Sequence, residues 1–178
     1  MIISEKTISS KEIYNGKVLK FHVDTVELEN GHISTRELVD HPGGVGVVAI
    51  DGDGYVCMVT QYRKPYEKAV TEIPAGKLDP CETPEVCGKR ELKEETGLVC
   101  ESLVSLGEFY PSAGYTNEII HLYLATDFVQ GEANPDDDEF VDVEKIHIDT
   151  LCDMIMSGEI KDGKTIAAIL KTKLYLDK

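Results

Sequence analysis

Residues 76–98 read GKLDPCETPEVCGKRELKEETGL and place Glu91, Glu94 and Glu95 beside Arg90. Thr83 followed by Pro84 and Glu85 gives an N-cap and a first-turn proline, and Gly97 closes the run, so the spacing predicts a helix over 83–96. On such a helix, residues three and four apart are neighbours, which brings Glu91, Glu94 and Glu95 toward one side with Arg90 four before Glu94. Carboxylates this close repel, and helix formation does not require them. A hard divalent cation with oxygen ligands, magnesium or manganese, would relieve the repulsion. Taken alone, the run reads first as a solvated helix face, the usual meaning of a charge run.

Upstream, KVLKFHVDTVELE at 17–29 and the segment beyond Asn30-Gly31 predict a hairpin. GVGVVAI at 44–50 and YVCMVTQYR at 55–63 flank Asp51-Gly52-Asp53-Gly54 and predict a second one. Downstream, strands are expected over 101–110, 118–125 and 140–146, with two closing helices in DTLCDMIMSG and GKTIAAILKTKLYL. Strands around a few helices, without regular βαβ alternation, suggest an α+β chain with mixed sheets in a sandwich rather than a Rossmann or barrel fold. Residues 1–41 are expected to form an antiparallel sheet of their own that packs on a partner chain, and 42–178 the main domain.

The chain has 178 residues, 42% apolar and 29% charged, ordinary values for one folded domain with an appendage. A formal net charge of −15 and the lack of a Lys/Arg run argue against a nucleic-acid partner. Cys57, Cys81, Cys87, Cys100 and Cys152 are odd in number and contain no CxxC pair, so they read as reduced thiols, and a cytoplasmic location is expected. No stretch has the apolar length of a signal peptide or membrane span. The five histidines show no metal-ligand spacing; His41, before Pro42-Gly43, reads as a structural turn.

Gly76, five residues, Glu82, seven residues, then Arg90-Glu91-Leu92-Lys93-Glu94-Glu95-Thr96-Gly97-Leu98 resembles the Nudix box at every defining position. Ordinary residue usage gives a chance match on the order of one in ten million for a chain this long, which outweighs the solvated-face reading. The resemblance implies a Nudix-type α/β/α sandwich and metal-dependent hydrolysis of a diphosphate linked to a nucleoside. It implies Glu91 and Glu95 as direct Mg²⁺ or Mn²⁺ ligands, Glu94 as a ligand or an outlying base, and the Ala75 carbonyl as a further ligand. Glu82 would support the loop, and Arg90 would orient the carboxylates by charge-assisted hydrogen bonds.

STRELVDHPGGVGVVAI, QYRKPYEKAVTEIPAGKLD and YPSAGYTNEIIHLYLA, with EIYNGKVLKFHVDTVELENG before them, resemble the ADP-ribose pyrophosphatase branch over nearly the whole chain. That resemblance implies a nucleoside diphosphate sugar as substrate and a homodimer with exchanged N-terminal sheets. Arg36 and Arg63 become candidates for phosphate or ribose contacts, with surface salt bridges as the other reading. The branch has a proline after the box where this chain has Ala113, which leaves room for a different nucleotide substrate. Glu118 is a candidate substrate contact or a solvated strand end. Of Asp136, Asp137, Asp138 and Glu139, the resemblance favours Asp138 or Glu139 as a catalytic carboxylate on a mobile loop, against an ordinary acidic loop. Tyr14 is a candidate for stacking on adenine, whereas the alternation around Phe21 places it in the core. A non-catalytic ADP-ribose sensor is the rival from another class, and the complete box argues against it.

Overall fold

The computed structural model of the chain describes residues 4–134 and 140–178, so Asp136, Asp137, Asp138 and Glu139 lie outside the described residues. The chain divides into two compact units, one running to Gly43 and including Tyr110–Ile119, the other comprising Gly44–Phe109 and Ile120–Lys178.

The first unit is an antiparallel meander of β1 (Lys6–Asn15), β2 (Lys20–Glu27) and β3 (Ile33–Asp40). The expected hairpin is β2–β3. Its turn places Gly31 at φ 78°, a left-handed conformation suited to glycine, and the Asn30 side chain accepts from the His32 amide at 3.1 Å. Every residue of β1 is exposed, and KTISSKEIYN carries little apolar alternation, so its strand state comes from pairing with β2 rather than from local pattern. The loop with Ala113 joins this unit through the Val39 amide on the Tyr115 carbonyl, 2.8 Å, and Asn117 Nδ2 on Asp40, 2.9 Å.

The second unit opens with β4 (Gly44–Ala49), β5 (Tyr55–Arg63), a 3₁₀ turn at Lys64–Tyr66, β6 (Lys68–Glu72) and β7 (Ala75–Lys77). Then come α1 (Pro84–Thr96), β8 (Leu98–Cys100), β9 (Val104–Phe109), β10 (Ile120–Ala125), β11 (Phe128–Gln130), β12 (Val141–His147), α2 (Ile148–Met156) and α3 (Gly163–Leu176). They form sheets in the orders β7-β4-β10-β9, β11-β8 and β12-β5-β6, with β4 and β10 parallel.

The second expected hairpin is not formed. β4 and β5 belong to different sheets and touch in register only through an isolated Ile50–Val56 bridge. Both are apolar runs, β4 wholly buried, and a strand covered on both faces can take neighbours from anywhere in the chain. The short turn thus passes the chain from one sheet to the other. The later strands start at Val104, Ile120 and Val141, after the expected positions.

Alternation along β4 explains the layers. Val47 and Ala49 join Leu92 of α1, Leu98 and Ala125 in one apolar cluster; Val48 joins Met58, Leu122, Leu151, Ala168 and Ile169 in another, with α2 and α3. Successive strand residues point to opposite faces, so α1 covers one face of this sheet and α3 the other. The fold is α+β with mixed sheets. No helix among the described residues is long and apolar enough to cross a membrane.

Candidate active site

Helix α1 begins where its sequence says it should. Thr83 is the N-cap and its hydroxyl accepts from the Val86 amide at 3.4 Å; Pro84 fills the first turn, and Gly97 ends the helix at φ 75° with its amide on the Lys93 carbonyl. Leu92 packs into the core at 0% exposure and fixes the helix's rotation, which sets Glu91 and Glu95 on the buried side.

Arg90 is the centre of the polar arrangement. Its Nε and Nη2 donate to the two oxygens of Glu82, both at 2.9 Å; Nη1 donates to Glu91 Oε1 at 2.7 Å and to Glu94 Oε2 at 2.9 Å. Nη2 also reaches the Lys77 carbonyl at 3.2 Å. These are charge-assisted bonds, and the bidentate pair with Glu82 ties the loop before the helix to the helix itself. The Arg90 hydrogen bonds pull the Glu82 carboxyl down to about 2, and the same contacts raise the guanidinium above its ordinary value. Cys87 donates its thiol to the Lys77 carbonyl at 3.3 Å; burial, then Glu82, pushes that thiol up, so it stays neutral.

Glu95, 3% exposed, accepts from the Ala75 amide at 3.0 Å and from Gln61 Nε2 at 3.3 Å. Glu91, 9% exposed, lies against Gly76: a β-carbon there would fall 1.9 Å from the Glu91 carboxyl carbon. The glycine that opens the motif is therefore the space in which a buried carboxylate sits. Glu94 is the more open of the three. As the side chains stand, no group of three His, Cys, Asp or Glu among the described residues closes on one point, because Arg90 draws Glu91 and Glu94 to itself while Glu95 turns to β7.

Arg63 ends β5 and makes a bidentate pair with Glu72 of β6, Nη2 to Oε2 at 2.9 Å; it also lines a cavity of about 460 Å³ with Tyr66, Lys68, Ile160 and Asp162. Arg36, Glu118 and Tyr14 belong to the first unit. Arg36 is engaged by Glu5, at 2.9 Å through Nε and 2.6 Å through Nη2, the salt-bridge alternative for this residue. Glu118 lies 3.4 Å from His41, Tyr14 is exposed in β1, and Phe21 is half-buried. Asp138 and Glu139 lie outside the described residues.

Gln61, Glu72, Asp162, Lys164 and Thr165 were not singled out in the sequence. An acid directly before the apolar Ile73-Pro74-Ala75 signals Glu72, and Asp162 three before Thr165 is a helix-cap spacing. Their pairing spans 92 positions and leaves no local mark.

A NUDIX domain matches residues 40–169, and a nucleoside diphosphate sugar hydrolase N-terminal domain matches residues 5–39. The chain is 47% identical to a methanol dehydrogenase activator of Bacillus methanolicus, over 94% of this chain and 92% of that protein. It is 43% identical to an ADP-ribose pyrophosphatase of Bacillus subtilis, over 94% and 91%. A crystal structure of an ADP compounds hydrolase superposes with a TM-score of 0.87 at 17% identity, over 99% of this chain and 96% of that one, a likeness of fold. With its complete motif seated on α1 and the loop before it, the chain belongs to the Nudix family.

Proposed function

We propose that this chain hydrolyses the diphosphate of ADP-ribose, or of a closely similar nucleoside diphosphate sugar, giving AMP and ribose 5-phosphate from ADP-ribose. The observation that carries the reading is the 43% identity to an ADP-ribose pyrophosphatase across 94% of the chain, with all motif carboxylates in place. The donor set fits a divalent metal. Glu91, Glu94 and Glu95 are hard oxygen donors on one helix, Gly76 leaves the space that Glu91 fills, and the Ala75 carbonyl stands on the adjoining strand. Bound there, Mg²⁺ or Mn²⁺ would neutralise phosphate charge and lower the pKa of a water. Arg90 holds Glu91 and Glu94 in place, and the Ala75 amide with Gln61 holds Glu95. Glu94, the most open of the carboxylates, is the group we assign to accept the proton of the attacking water, with Asp138 or Glu139 as the alternative. Arg63 stands on β5 two residues beyond Gln61, which donates to Glu95, and from there we assign it to the substrate's phosphates.

We assign Arg36, Tyr14 and Glu118 to substrate contacts completed in a homodimer with exchanged N-terminal sheets. Supporting this is the first unit's exposed apolar surface: Ile8, Ile13, Tyr14 and Ile33 are all about half exposed or more. Free cysteines and the lack of a membrane-spanning helix among the described residues are consistent with a cytoplasmic setting.

The test is turnover of ADP-ribose beside ADP-glucose and GDP-mannose, each with and without Mg²⁺. Metal-dependent preference for ADP-ribose is the expected result; preference for another nucleotide sugar would transfer the assignment to it, and binding without turnover would make the protein a sensor. The 47% identical relative favours a second reading, stimulation of an alcohol-oxidising dehydrogenase. Adding the protein to methanol dehydrogenase and finding no rise in its turnover would remove that reading.

A further inference from the structure

The carboxylate of Glu72 is 2% exposed and takes three donors: Nε and Nη2 of Arg63 from one side, and the Lys164 ammonium from α3. Lys164 is itself nearly buried, at 11% side-chain exposure, and also donates to Asp162 Oδ2 at 3.0 Å. Asp162 caps α3, accepting from the Thr165 amide at 3.0 Å and the Thr165 hydroxyl at 2.6 Å. The Thr165 hydroxyl oxygen in turn accepts from the buried Ile73 amide at 3.0 Å. The first turn of α3 therefore grips two consecutive residues, Glu72 and Ile73, that lead directly into Ala75 and Gly76.

A buried carboxylate needs its lone pairs satisfied. Arg63 covers one side of Glu72 with two of its nitrogens and keeps Nη1 for another partner; among the described residues Nη1 has no hydrogen bond. Lys164 donates to Oε2, the oxygen that Arg63 Nη2 also reaches. Without Lys164, Arg63 is the one cation left to Glu72 among the described residues, and a carboxylate no longer held from α3 is free to turn and to carry the bidentate guanidinium with it.

We propose that Lys164 is a positioning residue for substrate binding: through Glu72 it holds the Arg63 guanidinium at the end of β5, two residues beyond the Gln61 that donates to Glu95, where Nη1 meets an anionic oxygen of a nucleoside diphosphate. This rests on the reading that Arg63 touches substrate, so the experiment tests the two residues separately. Kinetics of the wild type, Arg63→Ala, Lys164→Met and the double variant are measured with ADP-ribose and Mg²⁺, beside calorimetric ADP-ribose binding in EDTA. Each single change is expected to raise KM and the dissociation constant roughly tenfold with kcat within about threefold, and the double variant to be no worse than Arg63→Ala. A folded Lys164→Met protein with wild-type KM overturns the proposal, as do effects that multiply in the double variant. An Arg63→Ala protein with unchanged KM overturns it too, and also removes Arg63 from the proposed substrate contacts. Should Lys164→Met fail to fold, Asp162→Asn keeps a capping side chain while removing the charge that orients Lys164. It is expected to raise KM by roughly threefold, and an unchanged KM there overturns the proposal.

Discussion

Two charge clusters lie in the second unit and are built on opposite plans. Around Arg90, one cation serves three carboxylates, Glu82, Glu91 and Glu94, with Glu95 beyond them. Around Glu72, two cations, Arg63 and Lys164, serve two acids, Glu72 and Asp162. The first is short of positive charge and the second is balanced. Under the proposed function the first receives a cation during its work and so carries the deficit permanently, with Arg90 limiting the repulsion. A site that holds a backbone segment gains from neutrality, because a buried unpaired charge is costly.

That contrast is broken most severely at Glu95. Glu95→Gln keeps the shape and loses one negative charge, and kcat should fall by about 10³ with Mg²⁺ while the circular dichroism spectrum is unchanged. Near-wild-type turnover would mean the deficit around α1 serves structure only.

Removing the hub should act on stability as well as on the carboxylates it holds. Arg90→Met leaves Glu82 and Glu91 facing each other without their cation, and urea unfolding should show a loss of about 3 kcal/mol. Its pH dependence sharpens the test. In the folded protein the Glu82 carboxyl lies at about 2, below its ordinary value of 4.5, so the unfolded chain takes up the proton first as pH falls. The stabilisation from this pair is complete above that ordinary value and is lost as pH falls toward 2. Acid titration of stability should show this slope in the wild type, and the slope should shrink in Arg90→Met.

At the balanced cluster, Thr165→Val removes the acceptor of a buried amide, and a stability loss of about 1–2 kcal/mol is expected. If activity fell far more than this loss explains, the α3 turn would be acting on Ala75 and Gly76 as well as on packing. The smallest effect belongs to Lys64 and Glu67, whose ion pair lies on the surface with side chains 80% and 71% exposed. Lys64→Ala should change stability by less than about 0.5 kcal/mol, and a larger change would show that exposed charge matters here more than the contrast allows.

Helix α1 was readable because everything that makes it is local. Cap, proline, terminal glycine and carboxylate spacing all fall within a few turns of chain, and the hydrogen bonds of Thr83 and Gly97 match them. Arg90 was readable for the same reason, since Glu94 is four residues away and Glu91 adjacent. The hairpin β2–β3 followed from Asn30-Gly31, which the left-handed Gly31 explains. The hairpin expected of β4 and β5 failed because Asp51–Gly54 looks the same whether it joins two strands of one sheet or passes between sheets. Glu72 was missed because its partner, Lys164, lies in the last helix.

By itself, the sequence determined the helix and its face of acids, since helical geometry converts spacing into position without reference to the rest of the chain. Tertiary structure alone decided that β4 would lie parallel to β10, that Glu91 would occupy the space over Gly76, and that α3 would clamp the end of β6. Apolar runs state only that they must be buried, and a lone acid states only that it needs a partner. Which neighbour satisfies each is settled when distant segments pack together and the remaining choices would leave apolar surface wet or charge unpaired.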